Sequence, residues 1–287
     1  MQKIILHIGY PKTGTTWFQK MFYPNVSNYT YFNRKEFKEK LLLPEDIFFN
    51  YAYEKTKNNN YIICEEKILG VNNKNLLNKQ KIERLYKAFP NAEIVVFIRN
   101  QINIIESSYS QYIHSGGTMT PTELILFFFI SNKIKRWNYY NYLKQYIDTF
   151  GKNKLNIFLY EDFKTNYNEF IKDFISKFNL DIKQNILNKK VNKSYTSIML
   201  KTARFTNKFS KTQIDFNRPD EVNYIDIPYL HQISHKIYSK LNIGKPFNLQ
   251  KNINKFIFNR LYDYFIDDNK KLAKEFNLDL KKYDYPM

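Results

Sequence analysis

A chain of 287 residues, 43% of them hydrophobic, is long enough to bury the core of one large α/β domain and is not a disordered polymer. Seven glycines argue against a linker-rich or fibrous chain, and the single cysteine, Cys64, excludes both an intrachain disulfide and a cysteine-rich zinc site. The excess of 45 Lys and Arg over 27 Asp and Glu leaves a net charge of +18, which attracts anions without choosing among nucleotides, nucleic acids, acidic glycans and lipid headgroups.

The first half of the chain alternates short apolar runs with helical patterns. Ile4 to Ile8 reads as a buried strand and Thr15 to Phe22 as the helix after it. Tyr61 to Cys64 reads as a second strand, and Gln80 to Phe89 as a helix ended by Pro90. Ile94 to Ile98 is apolar throughout, as a strand covered on both faces must be. Ile102, Ile105, Tyr109 and Tyr112 recur at helical spacing. Thr120-Pro121-Thr122-Glu123 is a capped helix start, predicting one long helix to about Phe150. Leu155 to Leu159 is another strand. The longest strongly apolar run, Leu124 to Ile130, is far shorter than the ~20 residues a membrane span needs, and no secretory signal is visible.

Beyond residue 180 the pattern turns helical and basic. Lys183 to Ile214 carries eight Lys or Arg and no acid. Its apolar stripe, Tyr195, Ile198, Thr202, Phe205 and Phe209, is predicted to pack on the domain. Lys201, Arg204, Lys208 and Lys211 then face a substrate or lipid headgroups. Ile253, Ile257, Leu261 and Tyr264 mark a core-facing helix near the end. The expected fold is a P-loop-like, mainly parallel sheet flanked by helices, with a basic helical C-terminal region. It forms one domain over 1–287, with a nucleotide-binding α/β core at 1–180 and an acceptor-side lid within 181–287. Ligands of such sheets bind at the carboxyl ends of the strands.

Gly9-Tyr10-Pro11-Lys12-Thr13-Gly14-Thr15-Thr16-Trp17 follows the first strand and opens a helix. A glycine turn there lets backbone N–H groups converge on an oxyanion, with threonine hydroxyls and one lysine beside them. It departs from the Walker A pattern: Thr15 stands where that motif has its lysine, and Lys12 precedes the second glycine. The run Pro-Lys-Thr-Gly-Thr-Thr-Trp resembles the 5′-phosphosulfate loop of sulfotransferases that use 3′-phosphoadenosine-5′-phosphosulfate (PAPS). The resemblance implies that Lys12 contacts the phosphosulfate near its bridging oxygen. Thr13, Gly14, Thr15 and Thr16 hold the 5′-phosphate, and Trp17 packs against adenine. A core tryptophan is the other reading of Trp17.

Arg99 ends the Ile94–Ile98 strand, and Ser107 follows eight residues later on a helix. A planar guanidinium fork and a hydroxyl suit one phosphate. The pair resembles the family's 3′-phosphate site, and the string from Arg99 to Gly117 resembles the small bacterial branch. Tyr160-Glu161-Asp162 resembles the segment whose tyrosine lies near the adenine; a plain polar turn is the alternative.

Sulfuryl transfer needs a base near the attacking group. The His of cytosolic family members has no counterpart after the second strand; Glu65-Glu66-Lys67 stands there instead. Glu66-Lys67 resembles the Glu-Lys pair of Golgi-type glycan sulfotransferases, so Glu66 is the expected base, with Glu65 as the other candidate. His7 lies inside a strand and reads as a core residue, and His114 ends a helix. His231 and His235 lack acidic or cysteine partners. The resulting expectation is a cytoplasmic bacterial enzyme that takes PAPS and needs no metal. Its product is 3′-phosphoadenosine-5′-phosphate (PAP), and its acceptor a sugar or lipid-linked glycan. Peripheral contact with an anionic inner membrane face is compatible with the charge, and no nucleic acid is expected. A P-loop kinase-like phosphotransferase and a basic nucleic-acid or membrane binder are the competing readings.

Overall fold

The computed structural model describes residues 2–32, 34–41, 43–66, 75–183, 195–209 and 244–287. In chain order the elements are β1 (Ile4–Gly9), α1 (Thr15–Trp17), β2 (Thr30–Tyr31), α2 (Arg34–Leu41), α3 (Glu45–Thr56), β3 (Tyr61–Cys64), α4 (Asn75–Ala88) and β4 (Glu93–Ile98). They continue with α5 (Gln101–His114), α6 (Pro121–Ile130), α7 (Tyr139–Phe150), β5 (Leu155–Leu159), α8 (Tyr160–Thr165), α9 (Tyr167–Phe178), α10 (Ser197–Asn207) and α11 (Lys255–Phe276). Lys67, Lys211, His231 and His235 lie outside the described residues.

The chain divides into two compact units, one of residues 1–99, 136–191 and 268–284, the other of 100–135, 192–267 and 285–287. The first unit contains a five-stranded sheet in the order β2-β3-β1-β4-β5, with every pairing parallel. β1 is fully buried between β3 and β4, where the strand order reverses. Its carboxyl end and those of β3, β4 and β5 therefore open on one edge of the sheet. One face of the sheet rests on an aromatic core that includes Trp17, Phe18, Phe22, Phe97, Phe163 and Phe174. Phe18 and Phe97 meet at 4.8 Å between ring centres.

Two of the expected helices depart from the periodicity. The helix expected over Thr15 to Phe22 is α-helical only to Trp17. It widens into a π-turn over Phe18–Phe22 and closes as a 3-10 turn over Tyr23–Asn25. The widening accompanies burial of Phe18, Phe22 and Tyr23 on one side. The long helix expected from Pro121 to Phe150 is instead broken. α6 stops at Ile130, Asn132 takes a left-handed φ of 55°, a 3-10 turn spans Lys133–Trp137, and α7 begins at Tyr139. The start of α7 is capped from a distance: buried Asp268 accepts from the backbone N–H groups of Tyr140 (2.8 Å) and Asn141 (3.1 Å).

The second unit contains α5, α6, α10 and the first part of α11. The capping box at Thr120 and Glu123 is present as the sequence predicts. α5 buries Gln101, Ile104, Ile105, Tyr109 and Ile113, a stripe rotated from the expected one, so that Ile102 and Tyr112 are only half-buried. Tyr112 instead receives hydrogen bonds at its hydroxyl from the N–H groups of Thr118 and Met119, each at 3.2 Å. Its ring lies so near Gly117 that a Cβ there would sit 2.3 Å away. Of the stripe predicted for residues 195–209, Tyr195 is buried and Phe209 half-buried, but the part on α10 faces out. Ile198 (55%) and Phe205 (61%) are exposed, while Met199, Leu200, Ala203 and Asn207 are buried. Asn207 takes part because its amide donates to the carbonyls of Ile113 (2.8 Å) and Gly117 (2.9 Å). In α11 the buried positions are Leu261, Phe265, Asp268, Asn269 and Leu272, one register later than the sequence suggested; Ile257 and Tyr264 are half-buried.

His7 is completely buried in β1, its Nδ1 2.8 Å from the Tyr23 hydroxyl and its ring against Phe18 and Phe97. Burial pushes its pKa down to about 3, below the usual imidazole range. A depressed folded-state pKa means that the stability tied to neutral His7 is complete above about pH 6.5 and is lost as the pH falls towards 3. In urea unfolding between about pH 6.5 and about pH 4.5, the wild type should lose ~1.4 kcal/mol per pH unit more than His7→Gln. Parallel pH profiles for the two proteins would show that His7 is not held neutral.

Candidate active site at the strand ends

The chain leaving β1 folds back on the sheet. The Tyr10 N–H donates to the Phe97 carbonyl at 2.9 Å, and the Thr13 hydroxyl donates to the Tyr10 carbonyl at 2.5 Å. Lys12 and Gly14 both take left-handed conformations, at φ 70° and 83°. Such alternation curls a loop so that its N–H groups line a concave anion-binding surface. Gly14 is required twice over: its φ disfavours a side chain, and a Cβ there would meet Phe163 at 3.1 Å and Tyr160 at 3.3 Å. The Gly14 carbonyl then accepts from the Trp17 N–H at 2.8 Å, which starts the helical turn.

Three other strand ends bring side chains to this loop. After β4, the Arg99 guanidinium donates to the Lys12 carbonyl at 3.1 Å and lies 5.0 Å above the ring of Tyr160, which follows β5. The Arg99 carbonyl accepts from the Tyr139 hydroxyl at 2.6 Å. After β3, Glu66 is half-buried and its carboxylate accepts a hydrogen bond from the Thr15 hydroxyl. Glu65 is buried, and its N–H donates to the His7 carbonyl at 3.1 Å. Burial holds the Lys12 ammonium below the ordinary lysine pKa. Glu66 raises it and Arg99 lowers it further, so both charged groups act on it electrostatically. The result is a curled loop with two cations, a carboxylate and an aromatic face, all at the carboxyl edge of a parallel sheet.

The sulfotransferase domain model matches residues 2–223. The chain belongs to the sulfotransferase family. The crystal structure of a sulfotransferase from Alicyclobacillus acidocaldarius is similar to it over 99% of this chain and 98% of that one, with a TM-score of 0.58 and 13% identity, a likeness of fold. Two more distant similarities are a mouse sulfotransferase, SULT7A1, complexed with PAP (TM-score 0.44, 14% identity, 96% and 89% covered) and the sulfotransferase domain of the curacin biosynthetic pathway (TM-score 0.41, 13% identity, 97% and 98% covered). No curated protein matches the sequence.

Of the residues that the sequence singles out in this sulfotransferase, Lys12, Gly14, Thr15, Glu66, Arg99 and Tyr160 meet at the loop. Thr16 is half-buried on the turn that follows. Trp17 is buried in the aromatic core against Phe22, Phe163 and Tyr167, and among the described residues its indole N–H has no hydrogen-bond partner. Ser107 is half-buried on α5 in the second unit, whereas Arg99 belongs to the first. His114 ends α5 with its ring 5.8 Å from that of Tyr195. Sequence reasoning missed Tyr139 and Phe163. Tyr139 was hidden inside an apparent long helix. Phe163 carries no chemistry of its own, and only its approach to Gly14 reveals its part.

Proposed function

We propose that this sulfotransferase takes PAPS as donor and moves its sulfuryl group to a hydroxyl or amine of an acceptor. The reading is carried by one observation: Arg99 binds the Lys12 carbonyl and covers Tyr160, joining the loop after β1 to the ends of β4 and β5. In this reading the loop N–H groups from Thr13 to Thr16 hold the 5′-phosphate. The Thr13 hydroxyl is already engaged by Tyr10, so Thr13 contributes its backbone. Arg99 and Ser107 recognise the 3′-phosphate. Tyr160 offers its ring to adenine, with Trp17 buried beneath the loop.

The chemistry assigned to the chain's own groups is simple. The acceptor O–H or N–H attacks sulfur, and the bond from sulfur to the bridging oxygen breaks with its electron pair on that oxygen. Lys12 and the loop amides stabilise the charge that develops there. Glu66 takes the acceptor proton, and its present partner, the Thr15 hydroxyl, keeps the carboxylate turned to the loop. On the Glu66-Lys67 pair we take the acceptor to be a sugar or lipid-linked glycan. A chain whose single cysteine, Cys64, can form no intrachain disulfide suits a reducing compartment, and we propose a cytoplasmic enzyme.

Calorimetry should show PAP binding far more tightly than 5′-AMP, because only a 3′-phosphate can add contacts with Arg99 and Ser107. Arg99→Ala should remove most of the difference, ~1.5–3 kcal/mol for one charge-assisted contact. Equal affinities for the two nucleotides in the wild type would sink the donor assignment.

Glu66→Gln keeps the shape of the side chain and cannot take the proton. Transfer from labelled PAPS, screened over a panel of sugar acceptors, should fall ~10²–10⁴-fold with PAP affinity retained. A fall for Glu65→Gln with Glu66→Gln unaffected would move the role by one residue.

A further inference from the structure

The second unit holds a cavity of about 510 Å³ that the transfer chemistry leaves unused. Its charged lining is one-sided: among the described residues Lys201, Arg204 and Lys251 face it and no carboxylate does. The acid nearest in sequence to its lining, Glu123, is turned to the Thr120 N–H in the capping box, at 2.6 Å. One wall is the ring of Tyr109 stacked on Phe247, at 5.2 Å between centres. The Tyr109 hydroxyl donates to the Met119 carbonyl at 3.3 Å, and the Arg204 charge acts on that phenol, opposing the upward push of burial on its pKa. Three helices also begin at the cavity: Thr120 and Pro121 open α6, Ser197 opens α10, and Asn254 precedes α11. Their N-terminal N–H groups add positive potential to that of the side chains. Tyr109 lies roughly 200° around α5 from Ser107, so the cavity is on the opposite side of that helix from the residue assigned to the nucleotide.

Exposed apolar side chains neighbour the lining residues in sequence. Ile198 and Phe205 stand three and four residues either side of Lys201 on one stripe of α10, and both are more than half exposed. Phe256, 73% exposed, follows Asn254 by two residues. Scattered exposed apolar side chains are ordinary on a protein surface, but these three each lie within two residues of one that lines the cationic cavity. A soluble anion has no use for them. A lipid headgroup does, because its phosphate and its acyl region lie within one side chain's length of each other.

We propose that this cavity takes the phosphate of an anionic phospholipid at a membrane surface, with Ile198, Phe205 and Phe256 entering the outer edge of the bilayer. The docking is peripheral: among the described residues no helix is long and apolar enough to cross a membrane. The volume fits one headgroup. The proposal does not depend on the donor or the base assigned above.

The test is sedimentation of the full chain with vesicles of phosphatidylcholine alone and of phosphatidylcholine mixed with phosphatidylglycerol, at low and high salt. The protein should pellet with the mixed vesicles only. Lys201→Gln with Lys251→Gln should lower partitioning roughly 10- to 100-fold at low salt, each cation adding on the order of a fivefold preference for the anionic surface. Arg204 is kept in that variant because it is half-buried, whereas Lys201 and Lys251 are exposed. Ile198→Ser with Phe205→Ser, both at exposed positions, should remove the binding that survives high salt. PAP titration of every variant serves as the control for an intact first unit. Failure to pellet with the mixed vesicles, or equal pelleting of the wild type and the lysine variant, overturns the proposal. So does binding of soluble glycerol 3-phosphate that is lost in the lysine variant while vesicles are not bound; the cavity would then be a site for a free phosphate ester.

Discussion

The hydrogen bond from the Arg99 guanidinium to the Lys12 carbonyl ties together three chain segments that are far apart in sequence. Arg99 ends β4, Lys12 belongs to the loop after β1, and Tyr160, beneath the guanidinium, follows β5. None of these segments could hold its place alone. The loop contains a left-handed non-glycine residue, Lys12, and a guanidinium carried on an exposed chain would lose much rotamer freedom on being fixed. Stacked on Tyr160 and bonded to the loop, Arg99 keeps its remaining N–H groups in a fixed plane, the arrangement in which guanidinium discriminates phosphate best. Gly14 completes the clamp, because only the absence of a side chain lets Phe163 and Tyr160 approach the loop from the other side.

The all-parallel sheet makes this clamp possible. Its central strand must be apolar on both faces, which is why Ile4 to Ile8 and Ile94 to Ile98 are legible in the sequence as strands, and Leu155 to Leu159 and Tyr61 to Cys64 nearly as well. The candidate site was legible for the same reason: its residues follow those runs directly. Lys12, Glu66, Arg99 and Tyr160 can each be found by reading past a strand. Their mutual geometry cannot, nor can the supporting Tyr139 and Phe163, whose contribution is shape.

Periodicity failed where two stripes of one helix were both plausible. In α10 the stripe of Ile198, Thr202 and Phe205 is the more apolar by composition, yet Met199, Leu200, Ala203 and Asn207 are the buried set. Asn207 decides the matter by bonding two carbonyls of the α5 region, a partner that no local pattern reveals. The break between α6 and α7 was invisible for a similar reason. No proline or glycine marks it, and the cap of α7 comes from Asp268, more than a hundred residues later. The true orientation of α10 leaves Ile198 and Phe205 exposed on the same stripe as Lys201.

The proposed transfer requires Lys12 to act on charge that grows during the reaction rather than on the bound nucleotide alone. Lys12→Ala should be compared with the wild type in single-turnover transfer from labelled PAPS and in PAP titration. The expected result is a fall of ~10²–10³-fold in the transfer rate, with PAP affinity reduced by no more than about tenfold. A variant with near-normal transfer, or one whose rate and PAP affinity fall in step, would contradict it.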